Sequence, residues 1–139
     1  LTSTPTAAMK SVALGIPYQI PFENRQDYLY APDVGAAFGN AILEPFTGYS
    51  VFTLPSHSVD TGQIIRTITQ AAAALGIEQA CHLTIGNQQV PFICDLDFQS
   101  FCEAFPRTPH TDLDEAVFSS LQCFKNQVDR GWLRADMIV

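Results

Sequence analysis

The side chains of this chain that could do chemistry stand next to short predicted strands. In NRQDYLYAPDVGAAFGNAI, residues 24–42, Arg25, Gln26 and Asp27 come directly before an apolar run. A guanidinium group binds a phosphate or a carboxylate through two parallel hydrogen bonds. These residues could form a polar rim that faces a bound molecule, or a solvated turn before a strand. The sequence leaves both interpretations open.

Two further polar residues lie in predicted loops. His57 follows the predicted strand 50–54, and ligands of α/β folds commonly bind in loops after strands. Arg107 precedes the last predicted helix and could border a substrate cleft. The alternative for each is an exposed loop residue with no ligand. Cys81 and His82 are not a nucleophile pair, because adjacent residues of a strand point to opposite faces.

Composition excludes several classes of protein. The net charge is −7, from 7 Lys and Arg against 14 Asp and Glu, and no stretch clusters the cations, so no nucleic-acid partner is expected. No basic amphipathic helix and no apolar run of about 18 residues occurs, so no membrane partner is expected. A cytoplasmic location follows as the expectation. The chain starts at Leu1 without a signal-peptide pattern, and residue 1 is not expected to be the start of the gene.

The four cysteines show no metal-site spacing. Cys81, Cys94, Cys102 and Cys123 form no C-x-x-C motif and have no nearby histidine pair. We therefore predict no metal ligand and free, mostly buried thiols in a reducing compartment, with two disulfides as the alternative.

Helices alternate with short strands along the 139 residues, a length that fits one domain. Apolar spacing and capping residues predict five helices, and runs bounded by proline or glycine predict four strands. The predicted helices are 4–15, 33–43, 60–76, 96–105 and 111–128, and the predicted strands are 16–22, 26–30, 50–54 and 80–85. The fold class is therefore α/β or α+β, with a small mixed sheet.

Three stretches carry a resemblance to a known family. They are RQDYLYAPDVGAAF at 25–38, SVFTLPSHSVDTGQII at 50–65 and FPRTPHTDLDEAVFSSLQCF at 105–124. In order and spacing they resemble the C-terminal half of the extended short-chain dehydrogenase/reductases, the NAD-dependent epimerase/dehydratase enzymes. The glycine-rich dinucleotide motif and the Tyr-x-x-x-Lys pair of that family are missing, so no catalytic or cofactor-binding residue is predicted here.

The resemblance implies that residues 1–139 are a single substrate-binding subdomain of a Rossmann-type enzyme. NAD or NADP would be bound by a cofactor domain that this chain does not contain. Arg25 or Gln26 would reach the diphosphate of a nucleotide sugar, and the family's second phosphate-binding arginine is matched only by Gln88 and Gln89. That loss favours a smaller sugar acid or hydroxy acid. The predicted substrate-binding residues are Arg25, Gln26, His57, Gln89 and Arg107.

A different class of function remains as the alternative. The chain could be a free-standing α/β binding or scaffold module without catalysis. If it is half of an enzyme, apolar surface should lie exposed where the cofactor domain packs, and self-association through that surface is expected.

Overall fold

The computed structural model describes residues 4–77, 82–88, 90–91 and 93–138. Over these residues it confirms the predicted mixed α/β class, with five α-helices and small sheets of short strands. The elements are α1 (Thr4–Leu14), β1 (Tyr18–Phe22), β2 (Arg25–Tyr28), α2 (Ala31–Leu43), β3 (His57–Asp60), α3 (Thr61–Ala74), β4 (Leu83–Gln88), α4 (Gln99–Ala104), α5 (Leu113–Asp129) and a 3-10 turn at Ala135–Met137.

The chain divides into two compact units. Unit 1 is drawn from Leu1–Asn24, Asp60–Pro91 and Leu113–Val139, and unit 2 from Arg25–Val59 and Phe92–Asp112. The prediction of one substrate-binding subdomain over residues 1–139 stays a prediction.

Unit 1 is built on a parallel pair of strands. β1 pairs with β4 in the register Tyr18 to Leu83 and Ile20 to Ile85, with an irregularity after Ile20. Parallel strands need a crossover connection, and the chain between β1 and β4 includes α3. Helix α1 packs against β1, and α5 packs against α1 and α3. The side chains that are wholly buried here include Ile20, Phe22, Ile68 and Leu121.

The ends of two unit 1 helices follow from local sequence. The carboxylate of Asp60 accepts a hydrogen bond of 2.6 Å from the amide of Gln63, as the predicted capping residues require. Gly15 and Gly76 follow α1 and α3 with φ of 68° and 67°, the left-handed conformation in which glycine commonly ends a helix.

Unit 2 is held together by aromatic rings. Ala37 of α2 packs in one core with Phe101 and Phe105, and Phe52 joins that core from the segment after α2. The ring centres of Phe52 and Phe105 are 5.5 Å apart and the rings are nearly perpendicular. This edge-to-face arrangement is one that aromatic pairs prefer. β2 and β3 form the two-stranded sheet of this unit.

Three of the predicted elements are wrong in position. Residues 50–54 form no strand, because Phe52 and Leu54 pack against the aromatic core, and the strand lies at His57–Asp60 instead. Strand β4 continues to Gln88, past the predicted end of the fourth strand at residue 85. Helix α4 begins at Gln99 rather than at residue 96. At its start, the carboxylate of Asp97 accepts a hydrogen bond from the amide of Gln99. Residues 80 and 81 of the predicted fourth strand lie outside the described residues.

Unit 2 exposes several large apolar side chains. Phe38 and Ile42 of α2 are 68 % and 84 % exposed, although their spacing with Ala37 predicts one packed face. Tyr49 and Val51 are exposed as well. Self-association through this surface stays a prediction.

The described cysteines are free. Cys94 is half-buried, and Cys102 and Cys123 are exposed, so the prediction of mostly buried thiols is wrong for these two. Cys81 lies outside the described residues. Among the helices of the described ranges, none has the length and apolar character to cross a membrane.

Candidate functional site

Arg25 is held by a two-pronged ion pair within unit 2. Its Nη2 atom donates to Oδ1 of Asp95 at 2.7 Å, and its Nε atom donates to Oδ2 of Asp95 at 3.1 Å. The hydrogen bond from Arg25 lowers the pKa of Asp95 to about 2, and the hydrogen bond to Asp95 raises the pKa of Arg25 above its ordinary value. The structure therefore places the first predicted binding residue against a carboxylate of its own chain.

Asp27, two residues further along β2, organises the segment around Asp95. Its carboxylate accepts from the hydroxyl of Ser58, from the amide of Asp95 at 3.0 Å and from the amide of Leu96 at 3.2 Å. Burial by itself would raise the pKa of Asp27, but these hydrogen bonds outweigh it and lower the pKa below its ordinary value. Asp27 is therefore an ionised anchor for residues 95 and 96.

Replacing Asp27 with asparagine should lower the free energy of unfolding by about 1–2 kcal/mol at pH 7, because hydrogen bonds to a charged acceptor are lost. The folded-state pKa lies below the unfolded one, so the stabilisation is present above pH ~4 and is lost as the pH falls through the folded value. Urea unfolding followed by circular dichroism at neutral pH and near pH ~3 measures both effects.

Glu103, an exposed residue of α4, provides the matched control for that substitution. Glu103→Gln should change the stability by less than about 0.5 kcal/mol at either pH. A pH-independent loss in Asp27→Asn would contradict the role of the Asp27 charge.

The second polar group of unit 2, which we call the histidine cluster, consists of His57, Phe98, His110 and Thr111. The rings of His57 and His110 stack at 4.5 Å, and Phe98 meets His110 edge-on at 5.5 Å. Nε2 of His57 lies 2.7 Å from the carbonyl oxygen of Thr111. A carbonyl can only accept, so Nε2 carries the proton, and Nδ1 is the accepting nitrogen of the neutral ring.

Asp33 of α2 binds Thr111 of the histidine cluster through two hydrogen bonds. Its carboxylate accepts from the amide of Thr111 at 2.7 Å and from the hydroxyl of Thr111 at 2.8 Å. The spacing of Thr111 and Asp114 is typical of a capping pair at the start of a helix, but Thr111 bonds to Asp33. The side chain of Asp114 accepts from Thr67 instead.

The remaining predicted binding residues have separate partners. Arg107 donates to Glu44 at 2.6 Å. Gln26 is buried, and its amide donates to the hydroxyl of Tyr28. Gln89 lies outside the described residues. Arg25, His57 and Arg107 are each engaged by a different group of unit 2, and the role of all five as substrate-binding residues stays a prediction.

An open groove of about 550 Å³ lies elsewhere, on unit 1, along the exposed side of β1 and residues 85–88 of β4. Among the described residues that line it is Glu23, whose negative charge would repel an anion. Of the predicted binding residues that the structure describes, none lines it. We take the hydrogen-bonded groups of unit 2 as the candidate site, because polar side chains from separate segments converge there.

Metal and thiol chemistry find little support in the described residues. Within them, no group of three or more His, Cys, Asp and Glu is arranged to hold a metal ion. Partial burial raises the pKa of the Cys94 thiol, and its hydrogen bond to Asp95 acts in the same direction. A protonated thiol is a poor nucleophile.

Several residues of the site escaped prediction from the sequence. The sequence around His110 indicates only an exposed loop, and Asp33 has the pattern of an acidic residue that opens a helix. The one available signal was the polar triplet at residues 25–27, which pointed to Asp27 without naming a partner. Ser58 and Asp95 carry no sequence pattern that separates them from ordinary loop residues.

No protein-family model matches the chain, and no curated protein matches it in sequence. The likeness to extended short-chain dehydrogenase/reductases therefore remains a hypothesis that depends on the three quoted stretches.

Proposed function

We propose that this chain is the substrate-binding part of an NAD(P)-dependent epimerase, dehydratase or dehydrogenase acting on a nucleotide sugar or a smaller sugar acid or hydroxy acid. The observation that carries the proposal is the meeting of the three quoted stretches in unit 2. Ser58 of the second stretch donates to Asp27 of the first. Thr111 of the third stretch donates to Asp33 of the first and accepts from His57 of the second.

The chemistry of the site suits a polar metabolite. The two imidazole rings and the exposed guanidinium of Arg25 offer hydrogen bonds to hydroxyl groups and to one anionic group. These side chains would bind and orient a substrate, and they contribute no general base of the Tyr-x-x-x-Lys type. A cytoplasmic location belongs to the same proposal.

NAD or NADP does not fit the residues that the structure describes. A dinucleotide pyrophosphate is held by glycines in a turn between a strand and the helix that follows it. The positive-φ glycines of the described residues stand elsewhere, since Gly15, Gly76 and Gly131 follow helices and Gly48 lies in the segment after α2. The cofactor would belong to a separate domain.

A free-standing binding or scaffold module without catalysis is the second candidate. It is favoured by the pairing of Arg25 with Asp95 and of Arg107 with Glu44. Both arginines are engaged by acidic side chains of unit 2, as they would be in a protein that binds no anion.

Titration of the full chain with UDP-glucose, D-glucuronate and NAD, followed by amide NMR shifts, separates the two candidates. We expect one of the first two probes to shift amides around His57 and His110. His110→Gln should weaken that binding by up to about tenfold, the range of one or two net hydrogen bonds. His82→Gln is the matched control, because His82 is an exposed histidine of unit 1.

Two outcomes would overturn the enzyme proposal. One is tight binding of NAD by this chain alone. The other is the absence of any shift in unit 2 with UDP-glucose or D-glucuronate, which would leave the module as the better candidate.

A further inference from the structure

We infer that Asp95 is a built-in competitor that occupies Arg25 until the anionic group of a ligand displaces it. The inference rests on the proposed function, which supplies an anionic ligand, and adds a regulatory contact to it. The ligand group would be an oxyanion with two oxygens available to one guanidinium.

The Arg25–Asp95 contact has the geometry of a bound ligand. Two nitrogens of Arg25 donate to the two oxygens of one carboxylate, which is how a guanidinium binds a free carboxylate or phosphate. An incoming anion could therefore replace the side chain of Asp95 without any change in the position of Arg25.

The pair is also accessible. The side chains of Arg25 and Asp95 are 50 % and 59 % exposed. An exposed ion pair changes an equilibrium constant by roughly twofold to fivefold. A competitor of that strength reduces the affinity for a ligand without preventing its binding.

The backbone at Asp95 is held independently of its carboxylate. Asp95 has a φ of 56°, in the left-handed region. Its amide donates to Asp27 and to the hydroxyl of Ser58 at 2.9 Å, and the next amide, of Leu96, donates to Asp27. The carboxylate of Asp95 can therefore swing away from Arg25 by side-chain rotation alone, while the segment stays in place.

Removal of the competitor should strengthen ligand binding. Asp95→Asn is expected to bind UDP-glucose or D-glucuronate about two to five times more tightly than the unaltered chain at ionic strength about 0.01 M, where exposed charges are screened least. Asp95→Gly should do the same, because glycine accepts the positive φ without strain. Arg25→Gln should weaken binding about tenfold or more.

The control releases a paired arginine of unit 1. Asp136→Asn frees Arg134, whose Nε and Nη2 atoms both donate to the carboxylate of Asp136, and it should leave the affinity unchanged. A response to UDP-glucose alone would assign the anion as a phosphate, and a response to D-glucuronate alone would assign it as a carboxylate.

The inference and the proposed function fail in different ways. If the unaltered chain binds a probe and neither Asp95 variant binds it more tightly, the competitor role is overturned and the substrate-binding proposal stands. If neither the unaltered chain nor the variants bind either probe, both are overturned. An unchanged exchange rate of the Leu96 amide shows that each variant keeps the segment folded.

Discussion

Replacing Gly86 with alanine should lower the free energy of unfolding by about 3 kcal/mol, through a steric clash between two strands. A Cβ atom at this position would lie 2.5 Å from the carbonyl oxygen of Pro21 and 2.9 Å from its carbonyl carbon. These are backbone atoms of the neighbouring strand and cannot rotate away. Either β1 moves and loses hydrogen bonds to β4, or the contact stays compressed. Urea unfolding followed by circular dichroism measures the loss.

Gly39 of α2 is the matched control for Gly86. A Cβ atom there meets nothing within 4 Å, and the residue lies inside a helix. Gly39→Ala should therefore raise the stability by about 0.5–1 kcal/mol, because glycine loses more backbone entropy in a helix than alanine does. A neutral or stabilising effect of Gly86→Ala would contradict the close approach of Gly86 in β4 to the backbone of Pro21 in β1.

Replacing Leu121 with alanine should cost about 2–5 kcal/mol, because a cavity opens between three helices of unit 1. Leu121 is wholly buried on α5, which packs against α1 and α3. Large-to-small changes lose the transfer free energy of the deleted methyl groups and the contacts that surrounded them. Urea unfolding followed by the fluorescence of Trp132, a residue of unit 1, measures this loss.

Leu43, at the end of α2, is the control for Leu121, because the same leucine-to-alanine change there removes no buried side chain. It is 75 % exposed, so Leu43→Ala should change the stability by less than about 0.5 kcal/mol. Equal effects of the two substitutions would show that α5 does not bury Leu121 as described.

The helices of unit 1 were predictable because their signals are local. In α3, the apolar residues Ile64, Ile68, Ala71 and Ala72 recur at helical spacing behind Asp60, and all four are buried. In α5 the same periodicity placed Val117 and Leu121 in the core. Capping residues and apolar spacing act over a few helical turns. Helices that depend on them can therefore be predicted from residues that are close in the sequence.

The strands and the candidate site depended on contacts between distant residues. The run at 50–54 has the composition of a strand, yet Phe52 is drawn to Phe101 and Phe105, and β2 pairs with His57–Asp60. Arg25 meets a carboxylate 70 residues away, and Asp33 meets Thr111 across 78 residues. No local pattern encodes such pairs.

The sequence by itself determined the class of the fold, the positions of most helices and the absence of a glycine-rich nucleotide motif, because each depends on composition, periodicity or spacing. Only the tertiary structure decided that Arg25 pairs with Asp95 and that His110 stacks on His57. It also decided that Asp27 binds the backbone amides of residues 95 and 96. The physical reason is that a polar side chain takes its role from the charge and hydrogen-bonding groups beside it, and these come from parts of the chain that only folding brings together.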